Sequence, residues 1–348
     1  MQSNPFHWLS NLVGNTPMSK ITCTYNGAPR TVYVKHEHYN MTGSIKDRIA
    51  LHMLYAAKKD GALTPIDTMV EVSSGNIGTA FAAMGKALGH NVKIFMPSWM
   101  SIERINLIKS FGAEVILLGR DEGGFIGCIK AAEALQASRN DIFLPAQFSN
   151  QSNADAHTKT TAPEIYDQMQ QFSITPDAFI AGVGTGGTVM GVQRYLKKRY
   201  PTIKVHPLEP ANSPTLSTGC KVGVHRIQGI SDDFVPDLIN LERLDSIVSV
   251  DDGDAIIMAK KLSSSLGLGI GISSGANFIG ALALQNSSNI PYTVLTVFPD
   301  DNKKYLSTDL MTDEPAQSHY LSTGVDNLAI DGTVSVRPCA INNALYAF

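Results

Sequence analysis

The stretch that decides the fold reads Ala178-Phe179-Ile180-Ala181-Gly182-Val183-Gly184-Thr185-Gly186-Gly187-Thr188-Val189-Met190. A short apolar run passes through four glycines in six residues, Gly182 to Gly187, and continues as a helical pattern over Thr188 to Lys198. A strand that feeds a glycine-rich loop and then a helix offers free backbone N–H groups and the positive end of a helix dipole to an anion, so this composition suits a phosphate cradle. Two nucleotide motifs are excluded by spacing. Gly182, Gly184 and Gly187 fit G-x-G-x-x-G, but Pro201 to Lys204 stand where the acidic ribose partner belongs. No Gly-Lys-Ser or Gly-Lys-Thr follows them, so a triphosphate would lack its lysine.

The same alternation extends outward in both directions. Thr31 to His36, Met69 to Val72, Val92 to Met96, Glu114 to Leu118, Ala178 to Ala181, Lys204 to Pro207 and Thr293 to Phe298 read as strands. Between them Ile45 to Lys58, Ile77 to Leu88, Ile102 to Phe111, Gly124 to Ala137, Thr188 to Lys198, Asp254 to Leu266 and Gly275 to Leu284 read as helices, most of them opening beside Gly, Ser, Thr or Asp. This pattern predicts an α/β fold with open, mostly parallel sheets flanked by helices. A length of 348 residues allows two domains. After about Leu310 the alternation stops, and 311–348 reads as an added tail packed on the surface or a partly disordered end.

Composition excludes several classes. With 43% hydrophobic and 17% charged residues the chain is an ordinary globular protein, and its net charge of -3 leaves no nucleic-acid footprint. No run of 18 apolar residues marks a membrane span, and the first 25 residues carry no basic start with an apolar core, so a cytoplasmic location is expected. Cys23, Cys128, Cys220 and Cys339 are scattered without C-x-x-C spacing, which argues against zinc and against a disulfide framework.

Two further clusters lie at predicted helix starts. Thr42-Gly43-Ser44-Ile45-Lys46-Asp47-Arg48 follows the first predicted strand, and Ser73-Ser74-Gly75-Asn76-Ile77-Gly78 follows Met69 to Val72. Taken singly, Lys46 reads as a solvated surface lysine and the serine–glycine–asparagine segment as a capped turn.

In this order the clusters resemble the cysteine synthase and cystathionine β-synthase family of pyridoxal-phosphate enzymes, fold type II, over roughly Leu9 to Leu310. Gly14-Asn15-Thr16-Pro17 matches the family's opening motif. Downstream, His225-Arg226-Ile227-Gln228-Gly229-Ile230 and Gly271-Ile272-Ser273-Ser274-Gly275 continue the resemblance. It implies a large cofactor-binding domain of residues 1–40 and 146–310 with a small inserted domain of 41–145, the cofactor in the cleft between them, and a homodimer. It also implies that Lys46 holds pyridoxal 5'-phosphate and removes the Cα proton, that Asn76 bonds the ring hydroxyl, and that Gly184, Thr185, Gly186, Gly187 and Thr188 surround the phosphate. Ser273 would face the pyridine nitrogen, where a neutral hydroxyl leaves the ring a weaker electron sink than an acid would. Ser73, Ser74, Asn76 and Gln147 would take the substrate carboxylate.

The implied reaction is β-replacement on a small amino acid through an aminoacrylate, to which a small nucleophile adds. Cysteine synthesis from O-activated serine and sulfide leads; cystathionine formation, cysteine breakdown to hydrogen sulfide and diaminopropionate synthesis are the alternatives, and a non-catalytic binding protein is disfavoured by the retained Lys46. No heme motif and no paired regulatory repeat after residue 310 is recognisable. Three departures from the family pattern bear on the choice. Met41 stands where Pro is usual, and Ile77 replaces a threonine, removing a hydroxyl from the carboxylate site. Ser231-Asp232-Asp233-Phe234 occupies a stretch that is normally small and glycine-rich. Asp232 and Asp233 read either as solvated loop acids or as groups that orient an incoming amine or deprotonate water.

Overall fold

The computed structural model describes residues 5–231, 233–288, 292–336 and 346. Its strands are β1 (Met18–Tyr25), β2 (Ala28–His36), β3 (Thr68–Val72), β4 (Asn91–Pro97), β5 (Glu114–Leu118), β6 (Ile142–Phe143), β7 (Ala178–Gly182), β8 (Lys204–Pro210), β9 (Val248–Val250), β10 (Val294–Phe298) and β11 (Val325–Val334). They form a seven-stranded sheet in the order β11-β1-β2-β10-β7-β8-β9 and a four-stranded sheet in the order β5-β4-β3-β6. The smaller sheet is parallel throughout. The larger is parallel from β2 to β9, while β1 runs antiparallel to both of its neighbours, β2 and β11.

Burial explains why the predicted strands were visible. All five residues of β3 and all five of β10 are buried, because helices cover both faces of a parallel sheet and the strands then read as near-continuous apolar runs. Helices Asp252–Leu266 and Ile272–Ser287 pack on one face of the larger sheet, around Ile180, Val294 and Phe298. Helices Ala162–Gln171 and Gly187–Arg199 pack on the other, around Phe179, Leu295 and Val297. On the smaller sheet, Lys46–Lys59, Asn76–Ala87 and Ile102–Ser110 share one core, and Gly124–Ser138 covers the opposite face.

The predicted strands and helices all form, with ends shifted by up to three residues. Among the additional elements, which include Pro5–Leu12, β6 and β9, three bear most on the fold. β1 is one. Helix Ala162–Gln171 is another, and its buried stripe includes Glu164 and Gln168, which bond the Lys35 ammonium at 2.7 and 2.8 Å. Polar residues on the inner face hide the helical period of apolar ones. The third is β11, in the segment expected to be a tail. It forms the outer edge of the larger sheet and is exposed along most of its length, so it carries no apolar signature.

Beneath the cleft lies a buried ionic cluster. Arg48, in the helix that begins with Lys46, bonds Glu37 at 2.6 Å and Glu164 at 2.7 Å, and Lys35 of β2 bonds Glu164 at 2.7 Å. Removing one partner would leave an uncompensated buried charge, at a cost of about 3–5 kcal/mol, so this cluster fixes the first turn of that helix against β2.

Candidate active site

β3, β7 and β10 end at one cleft between the two sheets. Lys46, Ser73, Ser74, Asn76, Gln147, Gly184, Thr185, Thr188 and Ser273 all line it. The carboxyl ends of parallel strands are the usual place for a ligand in such folds. Segments far apart in the chain thus converge on one cleft. Gly186 and Gly187 lie behind the lining and shape the loop. Asp232 lies outside the described residues, and Asp233 lines an adjoining outer chamber instead.

Each lining residue is placed by local bonding. Lys46 is half-buried at the first position of helix Lys46–Lys59. Its N–H bonds Ser44 Oγ at 3.2 Å, and the N–H of Ile45 bonds the carbonyl of Pro299 at 2.8 Å, tying the lysine segment to the end of β10. Asp47 closes the preceding loop by accepting the Thr42 N–H at 2.6 Å, and burial pushes its carboxyl up to about 6. In the second segment, Ser73 Oγ accepts the N–H groups of Gly75 and Gly78, both at 2.9 Å. The serine therefore shapes the turn that it also lines. Gln147 donates from Nε2 to the Val72 carbonyl at 3.0 Å, which leaves its amide oxygen and second N–H for a ligand.

The glycine loop is built from restrictions on space and backbone. Gly186 has φ +85°, and a Cβ there would lie 2.5 Å from Ile239 Cγ1. A Cβ on Gly184 would lie 2.6 Å from the Gly229 carbonyl oxygen. Helix Gly187–Arg199 starts without a side-chain cap, so its first N–H groups are left for an anion. Thr185 Oγ1 accepts Asn153 Nδ2 at 2.8 Å, and Thr188 Oγ1 lies 3.3 Å from His157 Nε2. Burial, helped by the Arg48 charge, pulls His157 down to about 3, so it is a neutral imidazole. Ser273 sits in the first turn of helix Ile272–Ser287, whose N-cap is Gly271.

Several residues that sequence reading passed over complete the cleft. Arg104 is 2% exposed and lines it, with its guanidinium donating to Gln228 Oε1 and lying 4.6 Å from the Tyr305 ring centroid. Glu71 is buried behind the serine turn, accepting the Val72 N–H at 2.8 Å and a bond from the Gln147 backbone; burial pushes its carboxyl up to about 8. Asp300 follows β10 and accepts from Asn76 and Tyr305. The one available signal was position, since a polar residue just after a buried parallel strand stands at the ligand-binding edge.

The outer chamber shares Ser74, Phe125, Gln228 and Ile230 with the cleft and adds Trp99, Arg120, Lys221 and Asp233. Apart from Arg120, whose guanidinium lies 4.8 Å from the Trp99 ring centroid, its acids and bases are paired. Asp233 pairs with Lys221 at 2.5 Å, and Arg226 with Glu314 at 2.7 Å.

Residues 9–300 match the model of the pyridoxal-phosphate dependent enzyme family, and the chain belongs to that family. Its fold is type II, shared with enzymes of the cysteine synthase group. Cysteine synthase of Staphylococcus aureus is 40% identical over 310 residues, 89% of this chain and 98% of the relative. The crystal structure of a hydrogen sulfide-producing enzyme from Fusobacterium nucleatum is 52% identical, with a TM-score of 0.93 over 95% of this chain and 99% of that one. A D232N mutant of that enzyme, complexed with an alpha-aminoacrylate intermediate, superposes with a TM-score of 0.92. No helix among the described residues is long and apolar enough to cross a membrane.

The residues of the cleft fit pyridoxal phosphate. Its described lining includes the cations Lys46 and Arg104 and no carboxylate, and Asn76 Oδ1, Asn153 Oδ1 and Arg104 Nε are buried around it without partners among the described atoms. The two cations and the Arg104 Nε–H suit a ligand's anionic groups, and the amide oxygens suit a hydroxyl or N–H that the ligand donates.

Proposed function

We propose that this chain exchanges the β-substituent of a small amino acid with sulfide as the departing group, releasing hydrogen sulfide from cysteine. The observation that carries the reading is the 52% identity to a hydrogen sulfide-producing enzyme, which extends over 95% of this chain and 99% of the other. Bound pyridoxal phosphate supplies an electron sink that stabilises negative charge at the substrate's Cα. Lys46 Nζ would hold the cofactor, and its amine would take the proton from Cα. Asn76 would bond the ring hydroxyl, Ser273 would face the ring nitrogen with a neutral hydroxyl, and the Gly184 to Thr188 loop would hold the phosphate with N–H groups and threonine hydroxyls. Ser73, Ser74, Asn76 and Gln147 hold the substrate carboxylate so that the Cα–H bond meets Lys46.

At Cβ the C–S bond breaks and hydrosulfide leaves; water adds, forming a C–O bond, and gives up the proton that makes the hydrosulfide hydrogen sulfide, while Lys46 returns its proton to Cα, so that cysteine and water give serine and hydrogen sulfide. Asp232 is the group proposed to take the water's proton, with Asp233 held in the outer chamber by Lys221. A D232N form of the Fusobacterium enzyme is known in complex with an alpha-aminoacrylate intermediate, so an acid that carries the same number bears on turnover there.

A second reading, cysteine synthesis from O-acetylserine and sulfide, is favoured by the 40% identity to cysteine synthase. The two are separated by rates: sulfide released from cysteine against cysteine formed from O-acetylserine with sulfide. The first reading expects the larger kcat/KM for cysteine; a larger value for O-acetylserine replaces it with the second. The working unit in this reading is a cytoplasmic homodimer, whose small domain of 41–145 contains the four-stranded sheet and whose large domain comprises 1–40 and 146–310. Sedimentation at dimer mass tests the assembly.

A further inference from the structure

Asp300 is 1% exposed and joins segments that the proposed function uses separately. Its carbonyl accepts the N–H of Gly271 at 3.0 Å, at the start of the helix that carries Ser273. Its backbone forms an antiparallel bridge with Ser44, close to Lys46. Its side chain completes the set, because Oδ2 accepts from Asn76 Nδ2 at 2.7 Å and from the Tyr305 hydroxyl at 2.5 Å.

A carboxylate oxygen already taking two hydrogen bonds can only meet the nitrogen end of an amide. That decides the orientation of Asn76, whose two ends have nearly the same shape. Its second N–H and its oxygen are left for a ligand, and Oδ1 is buried with no partner among the described atoms. Tyr305 is held from behind by the Arg104 guanidinium, 4.6 Å from its ring centroid. Gly271 gives the other carboxylate oxygen its room, since a side chain there would overlap Asp300 Oδ1.

We propose that Asp300 is a positioning residue that, through Asn76, sets which end of the amide faces the ring hydroxyl of the bound cofactor. This rests on the reading of Asn76 given above. Asp300 touches neither substrate nor cofactor; it acts by removing the alternative amide orientation.

The test compares the full chain loaded with pyridoxal phosphate as wild type, Asp300→Asn, Tyr305→Phe and Asn76→Ala. Asp300→Asn keeps the shape but lets either end of Asn76 face it. The cofactor's dissociation constant should rise about tenfold, on the scale of one hydrogen bond to a charged group, and its visible absorption band should shift. Tyr305→Phe should move both in the same direction by less, and Asp300→Asn should add nothing in the Asn76→Ala background. A merely structural role would lower thermal stability without moving the band. Unchanged affinity and band, or effects that add to those of Asn76→Ala, overturn the proposal. If Asp300→Asn does not fold, an unchanged band in Tyr305→Phe overturns it equally. A wild-type chain that gains no visible band with pyridoxal phosphate sinks the reading of the cleft itself, whereas a normal wild-type band that is insensitive to Asp300→Asn sinks this inference alone.

Discussion

The inner cleft and the outer chamber share a wall but are built by opposite means. In the cleft, turns restricted by glycine and serine present N–H groups and hydroxyls, the described lining has no carboxylate, and the charges behind it are buried and fixed. In the chamber, half-exposed acids and bases pair with one another, and the Lys221 and Asp233 side chains are 46% and 34% exposed. A preorganised, water-poor site gives large electrostatic effects, and a solvated one gives small effects that salt weakens. The contrast marks the cleft as the place for the chemistry proposed above and the chamber as a solvated approach to it.

The largest expected effect tests the cleft. Lys46→Ala should abolish turnover and the visible band of bound cofactor, a loss of at least about 10³-fold, since the segment's other residues cannot take up the Cα proton. Near-normal steady-state rates would sink the assignment. Next comes Asp232: Asp232→Asn should leave the first half-reaction near wild type and slow the second by about 10²–10⁴-fold if this acid is the base. Rapid-mixing spectra with cysteine read the two phases separately, and equal rates in both would make it a plain loop acid.

Gly186→Asp should weaken cofactor binding by about tenfold or more. The carboxylate would oppose the phosphate, and the backbone at φ +85° disfavours any side chain. Gly186→Ala, tested beside it by titration with cofactor, separates strain from charge. Asp233→Asn should change the second half-reaction by less than about tenfold, as befits a half-exposed pair, and raising the salt concentration should erase the difference. A large, salt-insensitive effect would move Asp233 from the chamber's chemistry to that of the cleft.

The smallest effect is on stability. Glu71 keeps a proton in the folded chain up to about pH 8, whereas the ordinary carboxyl value is 4.5. Between those values the folded state binds more protons than the unfolded one, so this group's contribution falls as pH rises through the window. Glu71→Gln should therefore lose less thermal stability than wild type between about pH 5 and 8. Parallel Tm curves for the two proteins would show that Glu71 does not titrate in this way.

Much of this architecture was legible because buried parallel strands and glycine-capped helix starts leave local marks. Met69 to Val72 and Thr293 to Phe298 announced themselves as short, mostly apolar runs rich in β-branched residues, and the Gly182 to Gly187 run by composition. β11 and helix Ala162–Gln171 left none, one because an exposed edge needs no apolar face, the other because its inner face carries Glu164 and Gln168. The cleft was legible only as a set of separate segments.

By itself the sequence determined which short segments could bind an anion and present a lysine, since glycine spacing and helix-start chemistry act over a few neighbouring residues. Tertiary structure alone decided that Asp300 meets Asn76, that Arg104 stacks on Tyr305 beside Gln228, and that Asp233 is held by Lys221 outside the cleft. Asn76 and Asp300 are 224 positions apart in the chain. Their hydrogen bond depends on how two sheets pack across a cleft, and no local propensity encodes such a long-range contact.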